Sequence, residues 1–216
     1  MLSDARTIEQ GSIGSFPVIS LNCFTIVRMM ENNSHKQLGL VLGGGGARGL
    51  AHVGVIKVLE ESGITVSRLA GCSMGGLVAA LYASGFSANE LVEIALRLAN
   101  RREIIKLLDR TPNRRGLLGG KQIRKYLANI ISPDARMENT RIPLLMNAVD
   151  LISGHEITLS QGNLLDNIMA TTAIPGIFIP VESGPDKLVD GGVLDGVRGK
   201  VLRRSPRARR RRVLPP

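Results

Sequence analysis

A chain of 216 residues, 44% of them hydrophobic, is long enough for one domain with a substantial core. With no tryptophan and 3% aromatic residues, that core falls to Leu, Ile, Val and Ala. The formal charge of +10 says little about what the domain binds, because nine basic residues and no acid lie between Arg198 and Arg212, leaving +1 on residues 1–197.

In chain order, residues 1–36 have no sustained periodicity and are expected to form an N-terminal extension outside the fold. The apolar run from Phe16 to Val27 is interrupted by Ser20, Asn22 and Thr25, and Asp4 and Glu9 outnumber Arg6 before it. No small-residue cleavage site follows, so it reads as no signal peptide. Met29 and Met30, just before the patterned region, are candidate natural starts. No stretch reaches the length of a membrane span, and Cys23 and Cys72 do not make a disulfide framework. A cytoplasmic location, with peripheral contact at a membrane, is the expectation.

Residues 37–195 alternate strand and helix patterns. Leu38–Leu42 is a short apolar run ended by glycines, suited to a buried strand. Leu50–Glu61 is apolar at helical spacing and stops at Gly63. Ile64–Ala70 supplies a second strand, and Gly75–Ser84 a helix terminated by Gly85. Ser87 and Glu90 form a capping box opening the next helix. Glu103–Asp109 and Lys121–Ile131 read as amphipathic helices, Pro143–Asp150 and Glu156–Ser160 as strands, and Asn163–Ala173 as a helix broken by Pro175. Ile177–Val181 and Lys187–Val189 read as short strands joined by the turn 183–186. The alternation predicts an α/β layer fold. Residues 196–216 have no apolar face and are expected to be a disordered basic tail.

Two glycine-rich turns carry chemistry. Gly71-Cys72-Ser73-Met74-Gly75 falls between a predicted strand and a predicted helix, where a sharp turn exposes a serine hydroxyl and the helix N-terminus favours developing negative charge. Its bland alternative is a tight turn in which Ser73 caps the helix. Gly43-Gly44-Gly45-Gly46-Ala47-Arg48-Gly49 follows the first strand, and its unencumbered amides can approach an anion. It also fits a dinucleotide fingerprint at Gly44, Gly46 and Gly49, but the second strand ends in Gly71-Cys72-Ser73 rather than in the acid that would hold a ribose. Arg48 could add positive charge, or be a solvated helix-start residue.

A serine nucleophile needs a base. Of three histidines, His35 lies in the polar leader, His52 on the first helix suits packing, and His155 follows Asp150 by only five residues, a poor triad spacing. The remaining candidate is Asp190 in Val189-Asp190-Gly191-Gly192, where an Asp-Gly turn is sufficient reason by itself.

The glycine loop, the Gly71–Gly75 turn and Asp190-Gly191-Gly192, in that order, resemble patatin-like phospholipases, above all small bacterial members similar to the catalytic region of neuropathy target esterase. Leu77–Gly85, Ile142-Pro143 with Asp150, and Ala173–Phe178 resemble that group too, so the likeness runs from about Gly39 to Asp195. It implies a three-layer α/β fold with a largely parallel central sheet. It also implies a serine acyl hydrolase in which Ser73 is the nucleophile, Asp190 the base of a dyad without histidine, and Gly44, Gly45 and Gly46 the oxyanion hole. Arg48, Gly49, Gly71, Gly75, Gly191 and Gly192 support those motifs. No metal or cofactor is implied, and the partners are phospholipid, lysophospholipid or other acyl esters, with no specific nucleic acid. Such proteins continue with strand and helix after the Asp-Gly-Gly motif, whereas here the arginine tail follows Val193-Leu194-Asp195. The expectation is a domain truncated or altered at its C-terminal end, as by a shifted reading frame. Two alternatives stand beside the hydrolase: an inactive truncated protein, and a binder of anionic nucleic acid or membrane through the tail.

Overall fold

The computed structural model describes residues 18–21, 25–32, 35–107, 109–113 and 116–194. Expectations for residues 1–17, for Cys23, for the basic tail 196–216 and for the end of the domain beyond 194 lie outside the described residues.

A mixed sheet organises the chain. Its centre is parallel: β3 (His35–Leu42) runs beside β4 (Val66–Gly71), and β4 beside β7 (Leu144–Asp150). The flanks are antiparallel. On one side β2 (Thr25–Asn32) pairs with β3 and β1 (Val18–Leu21) with β2. On the other, β8 (Glu156–Leu159) and β10 (Asp186–Asp190) both pair with β7, and β9 (Val181–Ser183) pairs with β10. The α/β layering is as expected, and the parallel register is confined to the three central strands.

The register of β7 fixes where the site forms. β8 occupies one of its edges over Met146–Val149. β4, at Leu144–Met146, and β10, at Ala148–Asp150, must therefore share the opposite edge. β4 runs parallel to β7 and β10 antiparallel, so their C-terminal ends meet head-on beside Asn147.

The helices follow the predicted pattern. A 3-10 turn, Gly46–Ala51, leads into α1 (His52–Glu61). α2 (Met74–Ala83) is buried almost all round and packs on β3, β4 and β7, which is why its sequence carries no charge and is rich in Gly and Ala. α3 (Ala88–Ala99) opens with the expected capping box: the Glu90 carboxylate accepts from the Ser87 amide at 2.8 Å, and the Ser87 hydroxyl accepts from the Glu90 amide. α4 (Arg101–Leu107), α5 (Lys121–Ala128) and α6 (Leu164–Thr172) follow, and α6 packs on β7 and β10. Leu40, Leu42, Ile56, Leu69, Met146, Ile168 and Leu188 are among the fully buried side chains, an aliphatic core as composition demands.

Three regions differ from the sequence reading. β1 and β2 extend the sheet from within the segment expected to lie outside the fold; pairing at a sheet edge is made by backbone groups and needs no side-chain periodicity. A two-stranded hairpin of β5 (Arg110–Asn113) and β6 (Gly116–Leu118) follows α4, where no strand was expected. Ile177–Val181 is not a strand: Pro175 and Gly176, with φ +79, turn the chain there, Phe178 makes a single bridge to Leu118, and β9 begins only at Val181.

Asp150 ties the far end of β7 to its neighbours. One carboxylate oxygen accepts from the Ile152 amide at 3.1 Å and the Lys187 amide at 3.0 Å, and the other from the Ser153 hydroxyl at 2.6 Å and amide at 3.1 Å. The Ser153 hydroxyl and these amides hold its pKa down at about 2. A carboxyl depressed in this way stabilises the fold above its unfolded pKa of about 4 and loses that contribution as pH falls toward 2. Asp150→Asn is therefore expected to cost about 1–3 kcal/mol in urea melts at pH 7. The deficit should shrink as the pH falls from 4 toward 2, and a deficit constant over that range would contradict this role.

Candidate functional site

Ser73 sits where β4 gives way to α2, with φ +54 and ψ −129. It is the one non-glycine residue with positive φ among the described residues. Such a conformation costs on the order of 1–3 kcal/mol and persists only where surrounding contacts impose it. Those contacts are visible on each side. The Cys72 amide donates to the Leu42 carbonyl at 3.0 Å, fastening the turn to β3. The Ser73 amide donates to the Thr171 hydroxyl at 3.0 Å, and that hydroxyl donates to the Asn147 carbonyl at 2.7 Å.

Ser73 stands at the N-cap position of α2, yet its side chain makes no capping bond. Its Oγ instead donates to Asp190 Oδ2 at 2.5 Å, across 117 residues of sequence. The helix-capping alternative for Ser73 is thereby set aside. The turn reading of Asp190 is half right: Oδ1 accepts from the Gly192 amide at 2.7 Å, while Oδ2 is left for Ser73. The backbone bond at Gly192 fixes the carboxylate's rotation, and the Asp190 amide donates to the Ala173 carbonyl at 2.9 Å. Ser73 is 6% exposed and Asp190 5%, so the pair lies largely out of water, where a charge-assisted hydrogen bond is strong.

Cys72 lies beside this pair. Its thiol is buried, and Sγ sits 3.8 Å from Asp190 Oδ1. Burial, followed by the negative charge of Asp190, pushes the thiol up to about 12. It is a neutral neighbour of the carboxylate.

The glycines explain how strand ends and turns approach so closely. A Cβ on Gly75 would lie 2.3 Å from the Leu42 carbonyl oxygen and 2.4 Å from that of Gly43. One on Gly71 would meet the backbone of Gly75 and Gly76 at 2.6 Å, and one on Gly49 the Met74 side chain at 2.7 Å. Gly191 leaves no room before the Asn147 side chain, and a Cβ on Gly192 would lie 3.1 Å from Asp190 Oδ1. In the glycine loop, Gly44 faces the serine, a Cβ there being 3.4 Å from that of Ser73. Gly46 takes φ +55, and the Gly45 carbonyl accepts from the Arg48 amide at 3.2 Å. Arg48 itself is exposed.

The histidines have other work. His52 is 3% exposed and its Nε2 lies 2.9 Å from the Gly43 carbonyl oxygen, which can only accept, so this nitrogen carries the proton and anchors the start of the glycine loop. Burial lowers its pKa against the opposing effect of that bond. His155 is exposed, and Asp150 is consumed by its turn, so Ser73, Asp150 and His155 do not form a triad. His35 falls in β3, its side chain outside the described set.

Thr171, Ala173 and Asn147 were invisible as site residues in the sequence. Each belongs to an ordinary helix end or strand, and only the packing of α6 on β7 and β10 brings them to the turn.

The family model for patatin-like phospholipases matches residues 40–198. An uncharacterised protein of the neuropathy-target-esterase family from Mycobacterium tuberculosis is 37% identical over 166 residues, covering 77% of this chain and 45% of its own. A lysophospholipase from Saccharomyces cerevisiae is 31% identical over 173 residues, covering 79% of this chain and 10% of its own. The chain thus spans less than half the length of these relatives. Among solved structures, VipD from Legionella pneumophila shares the fold with a TM-score of 0.60 at 15% identity, over 92% of this chain and 52% of that one. The chain belongs to the patatin-like phospholipase family.

The packing at Gly75 gives a paired test. Gly75→Ala is expected to destabilise by about 3 kcal/mol, the upper end for overpacking, because the added methyl would meet the Leu42 and Gly43 carbonyls, backbone that cannot swing aside. Gly54→Ala, on α1 with nothing within 4 Å of its Cβ position, should instead stabilise by up to about 1 kcal/mol through helix propensity. Thermal melts of the two variants that shift equally, or in the opposite sense, would contradict the close approach of α2 to β3.

Proposed function

We propose that this chain hydrolyses fatty-acyl esters, those of phospholipids, lysophospholipids or simpler acyl esters, with Ser73 as nucleophile and Asp190 as its base. The observation that carries the reading is the 2.5 Å bond from Ser73 Oγ to Asp190 Oδ2, made by a serine held at φ +54 on a strand-to-helix turn. Membership of the patatin-like phospholipase family, and a yeast relative named as a lysophospholipase, support the substrate class. On this reading the acyl hydrolase domain is residues 37–195, with β1 and β2 added at the edge of its sheet.

The steps balance without a cofactor. Asp190 takes the Ser73 proton as Oγ attacks the ester carbonyl carbon, and the carbonyl π electrons move onto oxygen. Collapse of the tetrahedral intermediate expels the alcohol or lysolipid, which leaves with the proton from Asp190. Water, giving a proton to Asp190, then attacks the acyl-serine, and collapse returns the proton to Ser73 Oγ and releases the fatty acid. The oxyanion is assigned to the amides of Gly44, Gly45 and Gly46, a role favoured by the position of Gly44, where an added Cβ would lie 3.4 Å from that of Ser73. The Ser73 amide is already engaged by Thr171, which leaves the glycine loop and the N-terminus of α2 as the sources of positive potential.

These esters are met at lipid surfaces, so the protein is assigned a peripheral contact with membrane. No helix among the described residues is long and apolar enough to cross one.

A tagged fluorophosphonate, which reacts with activated serines, tests the assignment. Wild-type protein should label on the peptide containing Ser73, Ser73→Ala should not label, and Asp190→Asn should label about 10²-fold more slowly or worse, the usual worth of a general base. Labelling of Asp190→Asn at the wild-type rate would remove Asp190 from the mechanism.

A further inference from the structure

The last turn of α6 touches both members of the Ser73–Asp190 pair. Thr171, fully buried, accepts the Ser73 amide at 3.0 Å through Oγ1 and passes its own proton to the Asn147 carbonyl at 2.7 Å. Two residues on, the Ala173 carbonyl accepts the Asp190 amide at 2.9 Å. The serine therefore hangs on a side chain of α6 and the aspartate on the backbone of Ala173, the residue that caps that helix. Asn147 is the β7 residue beside which the ends of β4 and β10 meet, so the Thr171 hydroxyl joins β7 to the turn that follows β4, while Ala173 adds the end of β10. Thr171 Cγ2 also fills the space over Gly76, where a Cβ would come within 2.8 Å, so the side chain is held at both its methyl and its hydroxyl.

We infer that Thr171 is a positioning residue: through its hydroxyl, α6 holds the strained Ser73 turn at hydrogen-bonding distance from Asp190. It touches no substrate and moves no catalytic proton. The inference rests on the hydrolase reading above. The chemistry demands the hydroxyl specifically, since only a group that accepts and donates together can satisfy a buried amide on one side and a buried carbonyl on the other. Without the bond, the Ser73 amide is left buried and unpaired beside a backbone conformation that already costs energy, and the turn relaxes away from Asp190. A shift of the order of 1 Å at a nucleophile is enough to cost about 10²-fold in rate.

The neighbouring Thr172 supplies the control. Its hydroxyl bonds back to the Ile168 carbonyl within α6 at 2.8 Å and reaches no catalytic group. Thr171→Val, Thr171→Ser and Thr172→Val would be compared with wild type for turnover of a p-nitrophenyl acyl ester, for the fluorophosphonate labelling rate, and for deuterium exchange of the Ser73 amide. Melting curves would confirm that each variant is folded. Thr171→Val is expected to lower kcat and the labelling rate by about 10- to 100-fold, leave KM within about two-fold, and expose the Ser73 amide to exchange. Thr171→Ser should recover most of the rate, and Thr172→Val should behave as wild type. Folded Thr171→Val that labels and turns over at the wild-type rate would overturn the inference, as would a rate loss that Thr171→Ser does not recover. A wild-type chain that neither labels nor turns over would sink the hydrolase reading itself. In that case a Ser73 amide protected in wild type and Thr171→Ser but not in Thr171→Val keeps Thr171 as the holder of the turn, and an amide unprotected in wild type removes it.

Discussion

The site exists because two strands are made to share one edge of a third. β8 covers Met146–Val149 from one side, so β4 and β10 must approach β7 from the other and stop where they meet. β4 delivers Ser73 and β10 delivers Asp190, from positions 117 residues apart, to a common point beside Asn147. Neither strand could be lengthened there without displacing the other. The Ser73–Asp190 distance is thus a consequence of strand register, and register is strongly specified where a sheet is buried. The Asp150 carboxylate, which bonds the amide of Lys187, fastens the opposite end of β10 and so supports the same register.

Around that meeting point the packing leaves no room for side chains, and the two glycine motifs are better explained by what they must approach than by flexibility. Gly75 lies against the Leu42 and Gly43 carbonyls, Gly71 against the first turn of α2, and Gly191 against Asn147. These contacts force the strand-to-helix turn into a form that places a non-glycine residue, Ser73, at positive φ. The strain is balanced by directed bonds: Leu42 holds Cys72, Thr171 holds Ser73, and Gly192 holds Asp190. Burial then makes the Ser73–Asp190 bond stronger than it would be in water.

Much of this was legible in the sequence, for local reasons. The strand before the glycine loop, the helix after Ser73, the Ser87–Glu90 capping box and α6 all follow from periodicity and caps, and they appear within a few residues of expectation. Ser73 and Asp190 could be singled out because small residues flank a polar one at a predicted strand end. Their partners could not. Thr171 and Asn147 sit in a helix and a strand with nothing distinctive around them, and their roles arise only from long-range packing. The strands β1, β2, β5 and β6 escaped notice because edge pairing and hairpins rest on backbone bonds that leave little pattern. The segment after Pro175 misled in the opposite direction: an apolar run from Ile177 to Val181 looks like a strand, but the Pro175–Gly176 turn limits its pairing to a single bridge from Phe178 to Leu118 before β9 begins at Val181.

The central claim is that Ser73 carries the acyl group during turnover. Incubation of the protein with a p-nitrophenyl acyl ester, an acid quench within the first turnover and peptide mass mapping would test it directly. The account predicts the mass of the acyl group on the peptide containing Ser73, with fragmentation placing it on Ser73 and not on Cys72, whose thiol is held neutral. Ester turnover with the acyl group on Cys72, or on a residue outside the Gly71–Gly75 turn, would contradict it.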